Sequence, residues 1–166
     1  MNELHYITRA ATDDDEEAVL SIFNYYVENS FAAYPESKVD KAFFRELKIM
    51  TVNHPFYVVE QANKAVIGFG LLHNYSRERC FNKTALITYF IAPGFTRRGI
   101  GSDLLGVLTK DASKMGLKTL LANISSKNKT SINFHQKNGF KECGRFINIG
   151  HRFNEDFDQV WMQKFI

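Results

Sequence analysis

The stretch Thr84-Ala85-Leu86-Ile87-Thr88-Tyr89-Phe90-Ile91-Ala92-Pro93-Gly94-Phe95-Thr96-Arg97-Arg98-Gly99-Ile100-Gly101-Ser102 reads as a strand, a turn and the start of a helix. Thr84 to Ala92 is apolar on both faces, which predicts a central, buried strand. Pro93-Gly94 ends it. From about Gly101 to Met115, Leu104, Leu105, Leu108, Ala112 and Met115 recur at helical spacing and predict the buried stripe of an amphipathic helix. Gly116 follows as its C-terminal glycine. Between strand and helix lies Thr96-Arg97-Arg98-Gly99-Ile100-Gly101-Ser102. The first amides of a helix have no partner within it, and its dipole adds partial positive charge there. Glycines let backbone approach phosphate oxygens closely, and Arg97 and Arg98 add charge. The loop lacks the third glycine of GxGxxG and the GK[ST] of a nucleotide loop. Taken alone, it is either an anion cradle or a left-handed turn feeding a helix.

Working outward, the chain alternates α and β. Tyr6 to Arg9 reads as a strand, and Thr12 with the acids Asp13 to Glu17 reads as a solvated helix start. Ala18, Val19, Ile22, Phe23 and Tyr26 carry that helix onward. Phe43, Phe44, Leu47 and Met50 mark a second one. Phe56 to Glu60 and Ala65 to Leu72 form an antiparallel hairpin around Ala62-Asn63-Lys64. Downstream come a strand at Leu117 to Ile124, a short helix from Asn128 or Thr130 to Lys137, and strands at Phe140 to Ile149 and Phe157 to Phe165. The order predicts an α/β chain with a mixed sheet, since hairpins are antiparallel and helical crossovers favour parallel pairs.

The 166 residues fit one domain, residues 1–166, with one sizeable core. A net charge of +3 is too mild for a nucleic-acid protein, and no base-reading motif occurs. The basic excess is local: Arg97, Arg98, Lys110, Lys114, Lys118, Lys127, Lys129, Lys137 and Lys141 face only Asp103 and Asp111, which suits an anionic small ligand. Cys80 and Cys143 have no metal or disulfide spacing, so no metal site is expected. No apolar run approaches a membrane span, and Met1-Asn2-Glu3-Leu4-His5 shows no leader core, so the expected setting is cytoplasmic.

A second block runs Asn128-Lys129-Thr130-Ser131-Ile132-Asn133-Phe134-His135-Gln136-Lys137-Asn138-Gly139-Phe140. An Asn at a helix start offers donor and acceptor to an extended, amide-rich ligand. His135 lies three residues after Ile132, near the apolar side. It either titrates near neutrality as a working group or sits at the core edge with its hydrogen bond satisfied.

Together the blocks resemble the GNAT family of N-acetyltransferases. Thr96 to Gly101 is similar to its [RQ]-x-x-G-x-[GA] signature, and Asn128 to Phe140 is similar to N-x-x-S-x-x-x-[YH]-x-x-x-G-F. Within the family the chain looks most like the phosphinothricin and methionine-sulfone acetyltransferases. The phrases Ile22 to Ser30, Phe134 to Phe140, Gly150-His151-Arg152-Phe153 and Val160 to Lys164 carry that likeness.

The resemblance implies direct transfer of acetyl from acetyl-CoA to the primary amine of a small molecule, an amino acid or analogue, by a homodimer. It implies that the backbone of Tyr89, Phe90 and Ile91 pairs with the pantetheine arm, in a slot opened where this strand splays from the one beginning at Leu117. Amides of Arg97, Arg98, Gly99, Ile100, Gly101 and Ser102 would hold the pyrophosphate, with Thr96, in place of the usual Arg or Gln, capping the turn. Asn128 would bond the pantetheine, and Lys137 would approach the 3′-phosphate or the arm. His135 stands where many relatives place a Tyr, and is implied as acid or base.

On the acceptor side Phe31 and Tyr34 form a wall in the family, or serve here as core aromatics or a dimer contact. Leu86 replaces the usual Glu. Phe81-Asn82 replaces a Tyr-Arg pair, leaving Arg77 and Arg79 as carboxylate partners or as plain surface charge. Those departures keep two other expectations open: a coenzyme-A-binding module with little catalysis, and a protein or peptide acetyltransferase with an open groove instead of a pocket lined by Phe31, Tyr34 and Phe81.

Overall fold

The computed structural model describes residues 5–166, so the stretch Met1 to Leu4 read for a leader lies outside the described residues. Strands β1 (Tyr6–Ala10), β2 (Phe56–Gln61), β3 (Val66–Asn74), β4 (Thr84–Ile91), β5 (Thr119–Ser125), β6 (Lys141–Arg152) and β7 (Glu155–Phe165) form one sheet, with helices α1 (Glu16–Asn29), α2 (Lys41–Met50), α3 (Ile100–Lys114) and α4 (Lys129–Lys137). The sheet order is β1-β2-β3-β4-β5-β7-β6, which puts β4 at its centre. Only β4 and β5 are neighbours and parallel. Here the expectation about crossovers is corrected. The two helices between β1 and β2 return to an antiparallel pair, and β7 inserts between β5 and β6, so only the α3 connection yields a parallel pair.

Period-two alternation splits the core between the faces of the sheet. On one face Ala85, Ile87 and Ile91 of β4 pack with Leu104, Leu105, Leu108 and Ala112 of α3 and Ile132 of α4. On the other, Phe69, Leu71 and Val58 meet Val19, Ile22, Phe23 and Val27 of α1 and Phe44 and Leu47 of α2. Met115 leaves the predicted stripe. It follows the last α3 residue and is 43% exposed, because the chain turns there into Gly116 at φ +80°.

The acidic start of the first helix is also more than a solvated run. Asp15 is buried and its carboxylate accepts both guanidinium arms of Arg9 at 2.8 Å and the Thr12 amide at 2.8 Å. Arg9 also reaches Glu60 at 2.6 Å, so β1, β2 and the turn before α1 are joined by one ion-pair cluster. The Arg9 guanidinium holds Asp15 below the usual carboxylate range.

Candidate active site

β4 and β5 pair over only three positions, Thr84 with Thr119, Ala85 with Leu120 and Leu86 with Leu121. Beyond Leu86 the strands part. The register fixes which backbone groups face the gap, because residues in an antiparallel pair alternate between bonding their partner and turning away. The Ala92 amide donates to the Ile67 carbonyl at 2.8 Å, and the Tyr75 amide meets the Thr84 carbonyl at 3.5 Å. Even-numbered residues of β4 therefore bond β3. Odd-numbered ones face β5, as the Lys83 carbonyl shows by accepting from Lys118 and Thr119. Past the last β4–β5 pair, the amides and carbonyls of Tyr89 and Ile91 look into an unpaired slot.

One of those groups is already engaged. The Tyr26 hydroxyl of α1 donates to the Ile91 carbonyl at 2.6 Å. Phe90, expected to join the slot, does not face it. Its backbone is in the β3 ladder opposite Phe69, and its ring packs with Phe23, Tyr26 and Phe69 on the α1 face.

The slot leads to the N-terminus of α3. Gly94, Arg97 and Gly99 all have positive φ, at +84°, +61° and +86°. This curls the loop back so that successive amides converge, and Gly99 takes the N-cap position with no side-chain cap. Thr96, expected to cap the turn, makes no side-chain hydrogen bond among the described residues. The Ser102 amide is bound to the Gly99 carbonyl at 2.9 Å, so the open amides end at Gly101. Ile100 buries its side chain in the core while its amide stays at the helix start. A Cβ at Gly101 would sit 3.3 Å from the Phe134 ring, so the glycine lets α3 and α4 approach. Arg97 and Arg98 are exposed, and Arg98 lies over the Phe95 ring at 5.6 Å.

Across the slot, Asn128 caps α4: its side-chain oxygen accepts the Ser131 amide at 3.1 Å. Its side-chain NH2 has no protein partner among the described residues and is left to donate. Lys137 is exposed on the last turn of α4.

His135 is only 4% exposed. Its Nδ1 meets the Ser131 carbonyl at 2.8 Å and its Nε2 meets the Tyr89 hydroxyl at 2.6 Å. With Nδ1–H donating, Nε2 accepts from Tyr89, which fixes a neutral tautomer. Burial pushes the imidazole down to about 4, so His135 does not titrate near neutrality. Burial likewise raises the Tyr89 phenol well above its usual 10. Sequence spacing alone did not pair these two. The signal was the inward parity of Tyr89 on a strand next to an apolar helix face.

The acceptor-side residues form two aromatic banks on the α1 face. Phe81 meets Tyr75 edge-on at 5.4 Å, and Tyr75 meets Trp161 at 6.4 Å. Tyr34 stacks on Phe157 at 5.9 Å, and Phe31 touches Phe157 and Phe153. Phe31 and Tyr34 thus stand together, and Phe81 stands apart from them. Arg77 and Arg79 are exposed beside Phe81, without an ion pair among the described residues. Leu86 is half-buried at the head of the slot.

One residue of this region was missed. Arg152 of β6 is buried, lies over the Phe153 ring at 4.6 Å, and donates to the backbone carbonyls of Val27, Tyr34 and Pro35. A buried guanidinium serving carbonyls alone leaves no trace in spacing. Among the described residues no group of three His, Cys, Asp or Glu side chains is arranged to hold a metal.

Comparisons with known proteins bear on this geometry. A sequence profile of the Acetyltransferase (GNAT) family matches residues 19–140. Phosphinothricin N-acetyltransferase of Alcaligenes faecalis is 27% identical over 94% of this chain and 80% of its own length. L-methionine sulfoximine/L-methionine sulfone acetyltransferase of Pseudomonas aeruginosa is 28% identical, over 90% of this chain and 88% of its own. Among solved structures, ribosomal-protein-alanine N-acetyltransferase from Brucella melitensis superposes with a TM-score of 0.89 at 30% identity, covering 96% of this chain and 99% of that one. An acetyltransferase from Salmonella typhimurium, solved with its cofactor acetyl-CoA, gives 0.85 at 25% identity, over 96% and 92%.

Proposed function

Because the chain belongs to the GNAT family of N-acetyltransferases, we propose that it transfers acetyl from acetyl-CoA to the primary amine of a small amino acid or analogue. The observation that carries this reading is the slot: the amide and carbonyl of Tyr89 and the amide of Ile91 left without a strand partner, leading to an uncapped helix start. An extended arm bearing amides matches the first, and a pyrophosphate matches the second. Bound there, acetyl-CoA supplies an activated thioester carbonyl.

The roles of the chain follow from position. The free amide and carbonyl of Tyr89 and the amide of Ile91 continue the sheet onto the ligand arm. Amides from Arg97 to Gly101 receive the pyrophosphate, and the Asn128 side chain donates to the arm from the far wall. Lys137 lies toward the 3′-phosphate. A backbone N–H of β4 facing the slot serves as the donor for the carbonyl oxygen as negative charge gathers on it. His135 acts through Tyr89 as a positioning residue: neutral and with both nitrogens engaged, it holds the phenol against α4. Phe31, Tyr34 and Phe81 border the acceptor, and Arg77 and Arg79 meet its carboxylate. The relatives that acetylate amino acid analogues support the acceptor class.

Release of free thiol from acetyl-CoA against a panel of amino acids, methionine sulfone, phosphinothricin and an N-terminal alanine peptide tests the reading. Turnover of the free amino acids or analogues is expected. Turnover of the peptide alone would reassign the acceptor, and coenzyme binding with no turnover would make the chain a binding module.

The protein acts as a homodimer in this reading. β6 is a sheet edge carrying Phe146, Ile147, Ile149 and the adjoining Phe153, all at least half exposed. Sedimentation velocity should give a dimer that Ile147→Glu splits. Two exposed, unpaired thiols, Cys80 and Cys143, suit a reducing cytoplasmic setting.

A further inference from the structure

Acetyl transfer needs a neutral amine, yet a free amine is largely protonated at neutral pH. The proton goes either to solvent before binding or to a base beside the slot. On the α1 face of β4, the residues at the head of the slot are Leu86 and Thr88, and neither titrates. The register supplies an alternative one strand away: His73 of β3 pairs with Leu86. Adjacent strands lie about 4.8 Å apart, so the imidazole neighbours the last β4 residue that still pairs with β5.

Three observations set His73 apart from an ordinary surface histidine. First, it is half-buried, and its Nδ1 meets the Asn74 carbonyl at 3.1 Å. That assigns the proton to Nδ1 and leaves the Nε2 lone pair with no protein partner among the described residues. Second, the position is roofed. Tyr75, two residues on along the same face, reaches over β4 and β5 to touch Trp161 of β7. His73 therefore stands under the foot of an aromatic arch that spans the head of the slot. Third, a second imidazole continues the row. Phe56 pairs with Leu71, and the Leu72 amide bonds the Pro55 carbonyl, so the same register carried outward sets His54 opposite His73.

We propose that His73 is the general base of this acetyltransferase, taking the acceptor's ammonium proton on Nε2 directly or through one water. The inference rests on the acetyl-transfer reading above. In the step, R–NH3+ gives H+ to His73 Nε2, and the amine lone pair forms the N–C bond to the thioester carbonyl. The C–S bond then breaks, and sulfur keeps the electron pair. The nitrogen's second proton goes to that thiolate, and the imidazolium returns its proton to water. The sum is R–NH3+ plus thioester giving amide, thiol and one proton.

The groups facing His73 agree with a neutral resting imidazole. Leu86 and Thr88 of β4 carry no charge. The buried side chains that α1 and α2 turn to the sheet are apolar, with the Tyr26 phenol partly buried beside them; Tyr75 and His54 flank the imidazole, and the exposed Arg77 and Arg79 carry positive charge on the loop that follows it. Burial, with His54 adding to it, holds His73 below its usual 6.5, and burial does the same to His54. The base is thus unprotonated at neutral pH, and activity should fall as pH drops through its lowered value.

The test is steady-state kinetics from pH 5 to 9 on an acceptor drawn from the panel, for the wild type, His73→Gln and His73→Ala. The thermal shift by coenzyme A is recorded for each protein. Loss of the base is expected to cost turnover about 100-fold, with the acetyl-CoA KM and the coenzyme shift unchanged. Added imidazole should restore part of the His73→Ala rate. Independently of any variant, the imidazole titration of His73 followed by NMR in the wild type should coincide with the acid limb of kcat/KM. A His73→Gln enzyme with wild-type kcat and pH profile, or a titration that misses the acid limb, overturns His73 while leaving acetyl transfer intact. A wild type that turns over no amine overturns both.

Discussion

Along β4 the slot is faced by backbone, at Tyr89 and Ile91, whereas on the α1 face of the same strand Leu86 and Thr88 offer only side chains. The donor half is made of amides, carbonyls and positive-φ turns. The acceptor half is made of the aromatic banks around Trp161 and Phe157, the half-buried histidines and the carbonyl-bound Arg152. Backbone groups are present whatever residue carries them, so away from the glycines that shape the turn the donor half depends little on side-chain identity. Side chains are what substitution changes, so in the acetyl-transfer reading the acceptor half is where one fold would come to serve different amines.

The contrast can be broken or sharpened by experiment. The largest effect belongs to the donor half's one buried imidazole. His135 sits at about 4 in the folded chain against an ordinary 6.5, so the unfolded state binds its proton first as pH falls. Its contribution to stability is full above about 6.5 and is lost progressively down to about 4. The span is at most about 3 kcal/mol. Urea melts between pH 7 and 4 should show that loss in the wild type and a flatter course in His135→Gln, with His54 and His73 and, toward pH 4, the ion-paired carboxylates such as Asp15 and Glu60 contributing the remaining slope.

Next comes Gly101→Val. Its added atoms meet Phe134, so α4 must shift away from the cradle. Coenzyme A should bind about tenfold more weakly by calorimetry. Trp161→Ala removes the far footing of the arch. The acceptor KM should rise about fivefold while the acetyl-CoA KM stays put; a rise in both would mean that the halves are not separable. Smallest is Thr96→Ala, expected to change coenzyme affinity by less than about twofold. A large loss there would show the cradle depending on a side chain after all.

The same contrast explains what the sequence disclosed. The glycines at 99 and 101 and the strand before them were legible, because each is dictated by local backbone need, whereas the cap of α4 stayed open between Asn128 and Thr130 until the structure gave it to Asn128. The parting of β4 from β5 entered through family resemblance. No local pattern states where two strands stop pairing. Ser102 was assigned to the cradle because spacing cannot show which amide a helix has already used, and Thr96 was expected to cap the turn because spacing cannot show where a hydroxyl points. Phe90 was assigned to the slot because facing depends on register. His73 drew no notice, since its significance lies in standing opposite Leu86, thirteen residues away. Asp15 and Met115 were misread in opposite directions: an ion pair with Arg9 draws a carboxylate in, and a turn at Gly116 turns a thioether out.

Arg152 has a consequence for how this enzyme could change its preferences. It grows from the outermost strand, yet its guanidinium holds the end of α1 and the backbone at Tyr34 and Pro35, while its neighbour Phe153 leans on Phe31. The segment carrying Phe31 and Tyr34, the proposed acceptor rim, is therefore hung from the β6–β7 hairpin like a shelf from a bracket. Whatever grips that hairpin from outside sets the height of the shelf. In the acetyl-transfer reading, substitutions on the solvent side of β6 would then shift selectivity among amines without touching one, giving evolution a dial remote from the chemistry.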